Sequence, residues 1–404
     1  MNRLWAAIKR ETMMILAEGV SEPKEIDRLW VEMFGNINEG PCALMDEVGL
    51  DTVGLIEDNY VEERHLDPTL TSEWIRENYV DKGKLGHKSN KGGLYPPKSD
   101  AHSGPTAYFL DIGVGSNVKD ITKVPESGRV IRRTADGQTT TLISGLPCPD
   151  GLDISLPLGR MFWTNMGANA SICDGSVLSA KLDGSDVREV IPKGAVHTPK
   201  QLVIDEPNQK LYFCDREGMG IHRCDTDGGN HETIVLRGDW KTGDMADLTR
   251  WCVGITIDSQ NGKFYWTQKG PPKMNQGRIF RANFEMPFGE DASNRSDIDL
   301  ILCDLPEPID LELDKESETL YWTDRGEHPF GSSLNKASIR PGEKPEVQIL
   351  ARHFNEPIGL KLDVANGHVY VTDLGGGLYR CNLDGSHKTV LERTDGSYSG
   401  ITLV

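Results

Sequence analysis

The chain has 404 residues, room for one small and one large domain. With 62 acidic against 44 basic side chains its net charge is −18, which argues against nucleic acid or anionic membrane as a partner because like charges repel. No apolar run reaches the roughly eighteen residues of a membrane span. Lys9-Arg10-Glu11 interrupts the one apolar stretch near Met1, so no signal peptide is expected either. The eight cysteines form no CxxC pair, so no structural zinc is predicted, and a reduced, cytoplasmic setting is expected.

Apolar residues recur at helical spacing over 2–19, 24–34, 41–64 and 71–82, with Gly, Pro and Asn at the breaks. A small all-α domain over 1–96 is therefore predicted. It carries Met1-Asn2-Arg3-Leu4, Glu25-Ile26-Asp27, Gly40-Pro41, Met45-Asp46-Glu47-Val48-Gly49-Leu50-Asp51 and Lys88-Ser89-Asn90-Lys91-Gly92-Gly93-Leu94-Tyr95. On these motifs the segment resembles the C-terminal helical domain of 3-hydroxyacyl-CoA dehydrogenases. In that family a preceding NAD-binding Rossmann domain supplies the Gly-rich fingerprint and a catalytic His–Glu pair. This sequence opens at the Asn-Arg motif and contains no strand–GxGxxG–helix unit. The resemblance aligns Asn2 with the family's substrate-positioning asparagine, here without a nicotinamide or a base beside it. The expectation is a helical module for docking or homodimerisation. The alternative is a longer dehydrogenase-like protein truncated at Met1.

Residues 97–106, within a stretch rich in Gly, Lys, Ser and Pro, read as a linker. From residue 107 the pattern changes to strands. Tyr108-Phe109-Leu110-Asp111 recurs as Phe162-Trp163-Thr164-Asn165, Tyr212-Phe213-Cys214-Asp215, Tyr265-Trp266-Thr267-Gln268, Tyr321-Trp322-Thr323-Asp324 and Tyr370-Val371-Thr372-Asp373. Successive copies begin 54, 50, 53, 56 and 49 residues apart. An alternating run precedes each copy, as in Pro357-Ile358-Gly359-Leu360-Lys361-Leu362-Asp363, and two more strands follow around turns such as Asp384-Gly385. Four antiparallel strands per repeat make a propeller blade.

Residues 107–404 thus resemble the six-bladed YWTD β-propeller of the low-density-lipoprotein-receptor class. The predicted fold is mainly β, with Tyr398-Ser399-Gly400-Ile401-Thr402-Leu403 as the strand that completes the first blade beside Tyr108 and closes the ring. The motif acids Asp111, Asp215, Asp324 and Asp373 are expected to make hydrogen bonds between blades.

Long loops gather on the face where the chain enters each inner strand, so a site is sought there. Aligning the six inner-strand starts places Asp150, Lys200, Val253, Ile309, Ile358 and Ser399 at one level of the channel. Gln201 and Asp310 stand among glycines at the next, and Trp251, Glu307 and Glu356 just before. Crowded carboxylates need a proton, a lysine or a cation, which makes such a mouth a candidate site. The candidate catalytic residues are Glu356, Glu307, Asp150 and Lys200, and the candidate ligand-binding residues are Trp251, Gln201, Asp310, Tyr398 and Ser399.

The expected partner is a small apolar or polyketide-like molecule at the channel mouth, with no cofactor. Resemblance to propellers of fungal secondary metabolism implies a cyclase of the hetero-Diels–Alderase type, a chemistry that needs a shaped pocket and polarising hydrogen bonds. Two alternatives are a non-enzymatic interaction scaffold and a hydrolase or lactonase using a divalent cation on Glu307, Glu356 and Asp150.

Overall fold

Glycine and proline breaks divide the first hundred residues into five α-helices. The computed structural model describes residues 2–34, 39–89, 91–95, 104–115, 121–272 and 274–404, with backbone only at 2, 3 and 121–123. Residues 1–103 and 104–404 form separate units. Most of the expected linker falls outside the described residues.

The helices are α1 (Asn2–Ala17), α2 (Pro23–Phe34), α3 (Pro41–Val48), α4 (Leu50–Arg64) and α5 (Trp74–Asn78), the last entered through a π-turn at Thr69–Glu73. The helical spacing over 41–64 falls into two helices: Gly49, at φ +95°, separates them, and a side chain there would meet Lys88 at 2.5 Å. Met13, Cys42, Met45, Leu50, Val53 and Ile75 form the core. Two of the dehydrogenase-like motifs supply its staples. Asp27 accepts the amides of Cys42 (2.8 Å) and Ala43 (2.7 Å), two donors at the start of α3 that lack a partner in the helix, and the Tyr95 hydroxyl at 2.8 Å. Asp46 accepts the amides of Leu94 and Tyr95, both at 2.9 Å. No helix among the described residues is long and apolar enough to cross a membrane.

The second unit is a six-bladed propeller of six four-stranded antiparallel sheets. Blades 2 to 6 start with inner strands Pro149–Ser155, Pro199–Asp205, Cys252–Asp258, Pro308–Asp314 and Pro357–Asp363. The innermost strand of blade 1 is Tyr398–Leu403, from the end of the chain. It pairs with Ala107–Asp111 in the register Ala107↔Leu403, Tyr108↔Thr402. The inner strands pack side by side around the channel in blade order.

The repeated motif works through its third residue. In blade 2 the Thr164 hydroxyl accepts the Gly151 amide (2.8 Å) of its own inner strand and donates to the Lys200 carbonyl (2.7 Å) of the next blade. Thr267 repeats this with Gly254 and Ile309, Thr323 with Asp310 and Ile358, and Thr372 with Gly359 and Ser399. In blade 3 the Cys214 thiol donates to Gly254 O at 3.3 Å. Within the repeated motif, bonding between blades therefore belongs to the third position. The motif acids, expected to bridge blades, instead clamp loops within one blade. Asp215 accepts the amides of His197 and Thr198 ahead of its own inner strand, and Asp324 and Asp373 likewise accept those of Glu307 and Asn355.

Each inner strand carries a β-bulge at the level of these hydroxyls, seen as a register shift against the second strand in all six blades. At the bulge the next blade's backbone comes close. A Cβ on Gly151 would stand 2.5 Å from Lys200 O, and one on Gly254 2.1 Å from Ile309 O. Glycine at these positions lets the blades close into a ring.

Candidate functional site

The residue following each motif copy lines the channel mouth. These are Ile112, Met166, Arg216, Lys269, Arg325 and Leu374. The backbone amide of each bonds the carbonyl two residues before the inner-strand level: Met166 to Cys148 (3.0 Å), Arg216 to Thr198 (3.0 Å), Arg325 to Glu307 (2.9 Å), with the other three blades alike. The bonds extend each blade by one rung and present six side chains as a collar. Consecutive blades 3, 4 and 5 supply Arg216, Lys269 and Arg325. Blades 6, 1 and 2 supply Leu374, Ile112 and Met166. One half of the rim is cationic, the other apolar.

A cavity of about 290 Å³ sits in this collar. Ile112, Val114, Met166, Ile358 and Leu374 form its apolar wall, and Asp150, Lys200, Arg216 and Arg325 its polar one, with Cys148 between. On the channel floor Val253, Ile309 and Ile358 pack together against Leu374. Arg325 also lines a neighbouring cavity of about 500 Å³ with Glu307, Glu356 and His328.

Below the floor, Lys361 reaches Glu312 at 2.7 Å and, across the channel, Asp153 at 3.4 Å. Asp153 also accepts the Thr402 hydroxyl (2.9 Å) and the Ile204 amide (3.1 Å). Burial lowers the pKa of Lys361, but its two carboxylates outweigh that and the net shift is upward.

The expected carboxylates do not converge on one point. Asp150 accepts Lys200 Nζ at 2.7 Å. Glu307 carries two cations on one oxygen, Lys269 Nζ at 2.8 Å and Arg325 Nη2 at 2.6 Å. Burial would raise the Glu307 pKa, but Arg325 and Lys269 bring it below the usual carboxylate range. Glu356, half-exposed, stands 3.7 Å from Arg325 Nε. Arg216 is held by the buried Glu217 at 2.7 Å. Burial lowers the pKa of Lys200 and Lys269. Asp150 and Glu307 oppose the shift, while Arg216, and for Lys269 Arg325 as well, add to it. The cations crowd one another.

Four of the expected ligand-binding residues make contacts within the protein and are not among the residues lining the mouth cavity. Asp310, at a bulge position, turns between blades and accepts the amides of Leu311 (2.9 Å) and Leu360 (3.0 Å); burial pushes its pKa well up. Gln201, at the same level of blade 3, donates to Asp150 Oδ2 at 3.2 Å. Ser399 donates to Pro149 O at 3.1 Å. Tyr398 packs edge-on against Phe109, and its hydroxyl lies 2.6 Å from that of Thr394. The Trp251 ring has Arg216 at 5.1 Å and Lys269 at 5.5 Å over it, so it is a support for the cations. The Asn2 side chain lies outside the described residues. The set proposed to hold a divalent cation does not fit one: Asp150, Glu307 and Glu356 each face a cationic side chain, and no three His, Cys, Asp or Glu gather as a cation site among the described residues.

A family model for the 3-hydroxyacyl-CoA dehydrogenase C-terminal domain matches residues 1–95. Over its whole length the chain is 45% identical to the 3-hydroxyacyl-CoA dehydrogenase-like protein LAM1 of Cochliobolus heterostrophus, covering 87% of that protein. The chain belongs to this LAM1-like family. A protein of Pyricularia oryzae named low-density lipoprotein receptor-related protein 1 is 42% identical over 74% of the chain and 97% of its own length. Among solved structures, a chain of a nidogen/laminin complex aligns with a TM-score of 0.54 at 16% identity, over 74% of this chain and 98% of that one. That likeness shows the propeller fold alone. This chain therefore joins a dehydrogenase-type helical domain to a YWTD propeller.

Proposed function

We propose that the propeller binds a small, largely apolar, oxygen-bearing molecule of polyketide type in the channel mouth and positions it for ring closure, as a cyclase of the hetero-Diels–Alderase type does. One observation carries this reading: the mouth cavity has an apolar wall from blades 6, 1 and 2 and cationic N–H donors, Lys200, Arg216 and Arg325, from blades 3 and 5. The apolar wall would hold a flexible chain in a folded, near-attack shape. Arg216, Arg325 and Lys200 would donate hydrogen bonds to a carbonyl and polarise it as the ring forms. The packed floor of Val253, Ile309 and Ile358 would keep the reacting atoms out of water.

A metal-assisted lactonase is the weaker reading because its carboxylates already face side-chain cations. In the proposed reading the helical domain is a docking or homodimerisation module, which its exposed Met33 and Leu55 support. The test is a thermal-shift panel of open-chain polyketide fragments and their cyclised products. A ligand bound only by the folded state raises Tm. Shifts in the wild type that vanish in Leu374→Asp support the reading. Equal shifts in both proteins, or none in either, contradict it.

A further inference from the structure

Four cations crowd the mouth. Lys200, Arg216, Lys269 and Arg325 face three buried carboxylates, Asp150, Glu217 and Glu307. Glu356, the fourth acid, is half in solvent and touches Arg325 only at 3.7 Å. Among the described residues the mouth thus holds more cations than buried carboxylates, on a protein whose net charge is −18. Low-dielectric walls strengthen that local field, and the remaining acidic surface gives it contrast. Three of the four cations, Lys200, Arg216 and Arg325, line the cavity itself, and the apolar wall stands opposite them.

From this juxtaposition we infer that the ligand is an amphipathic carboxylate, an acyl chain bearing a free acid, with its head between Arg216, Arg325 and Lys200. Its chain lies on Ile112, Met166 and Leu374. Arginine suits this role because its planar fork matches a carboxylate in two parallel hydrogen bonds. Burial is the main cause of the lowered pKa of Lys200 and Lys269; an incoming anion relieves the smaller part that Arg216 and Arg325 add. Arg325 is the specificity determinant best placed for testing, since Lys269 still pairs with Glu307 once Arg325 is gone.

The inference rests on the mouth being the binding cavity, so the experiment separates the two. Cys148 lines the cavity and Cys303 is exposed elsewhere. Alkylation of each by iodoacetamide, followed by peptide mass spectrometry, therefore reports mouth occupancy with an internal control. The probes are octanoate, octanol and octyl phosphate, on the full chain. The expected result is that octanoate protects Cys148 and not Cys303. It should do so at roughly tenfold lower concentration than octanol, the scale of one charge-assisted hydrogen bond. Arg325→Gln should abolish that preference while octanol protection persists. The double variant Arg216→Gln with Glu217→Gln, which removes a pair together, should weaken octanoate in the same way. Equal protection by octanoate and octanol overturns the carboxylate head and leaves the cavity standing. Stronger protection by octyl phosphate overturns the carboxylate in favour of a phosphate ester. Protection by none of the three overturns both the inference and the proposed site.

Discussion

The channel holds lysines at two levels, and the protein treats them in opposite ways. At mid-channel one lysine, Lys361, meets two carboxylates, and its pKa is raised despite burial. At the mouth Lys200 and Lys269 share their surroundings with Arg216 and Arg325, and their pKa values are lowered, by burial first and then by their cationic neighbours. The mid-channel group is closed, with Asp153 bonded to Thr402 and to the Ile204 amide as well as to Lys361. The mouth group opens on a cavity, and among the described residues its cations outnumber its buried carboxylates. A lysine met by two carboxylates holds the ring together, whereas cations crowded at an open cavity are available to a ligand.

The largest expected effect is at mid-channel. Lys361→Met leaves Asp153 and Glu312 without their cation, and losing one partner of such a buried group costs about 3 kcal/mol. Urea unfolding of the two proteins at neutral pH measures it. Because the folded pKa of Lys361 is raised, its stabilisation is complete below the ordinary lysine value of 10.5 and fades only as pH rises through the raised value. The gap between wild type and variant should therefore stay constant from neutral to mildly alkaline pH.

At the mouth the sign reverses. A lysine whose folded pKa is depressed releases its proton in the native state first, so stability rises as pH passes through the lowered value. Octanoate needs the proton on Lys200, so the affinity that Lys200 supplies is present below its lowered pKa and is lost as pH rises through it, before 10.5 is reached. Calorimetric titration across alkaline pH should show a fall of about tenfold, the scale of one charge-assisted contact. An affinity that holds steady up to the ordinary lysine range would remove Lys200 from the site. The smallest effect is on the fold of Arg325→Gln. With Lys269 still on Glu307, its unfolding free energy should change by less than about 1 kcal/mol.

The propeller is legible in the sequence because its motif is a packing unit. Each copy puts an aromatic into a blade core, and most put a hydroxyl across to the next blade, so six copies in register spell out a closed wheel. The division of the 41–64 segment is not legible because a helical period alone does not show that Gly49 takes a positive φ. Tyr398 falls outside the lining of the mouth cavity for a related reason. Its counterparts are Pro149, Pro199, Cys252, Pro308 and Pro357, residues that pack blade on blade, as where Pro199 abuts Gly175. Gln201 and Asp310 fall in the channel on a simple strand alignment because a bulge breaks the alternation of side chains. The site itself is only half visible. Asp150 and Lys200 emerge from aligning inner strands, but Arg216, Lys269 and Arg325 stand one residue beyond each motif copy, and aligning that column reveals the divided rim. That Lys361 pairs across the channel is not readable, because it joins positions 208 residues apart.

The central claim is tested most directly by a crystal of the full chain soaked with ω-bromo-octanoate, since the anomalous signal of bromine fixes the end of the acyl chain. The expected result is a carboxylate within hydrogen-bond distance of Arg325 or Arg216 and bromine beside Ile112, Met166 or Leu374. Bromine among the cations, or in the adjoining cavity by His328 and Glu356, would contradict it.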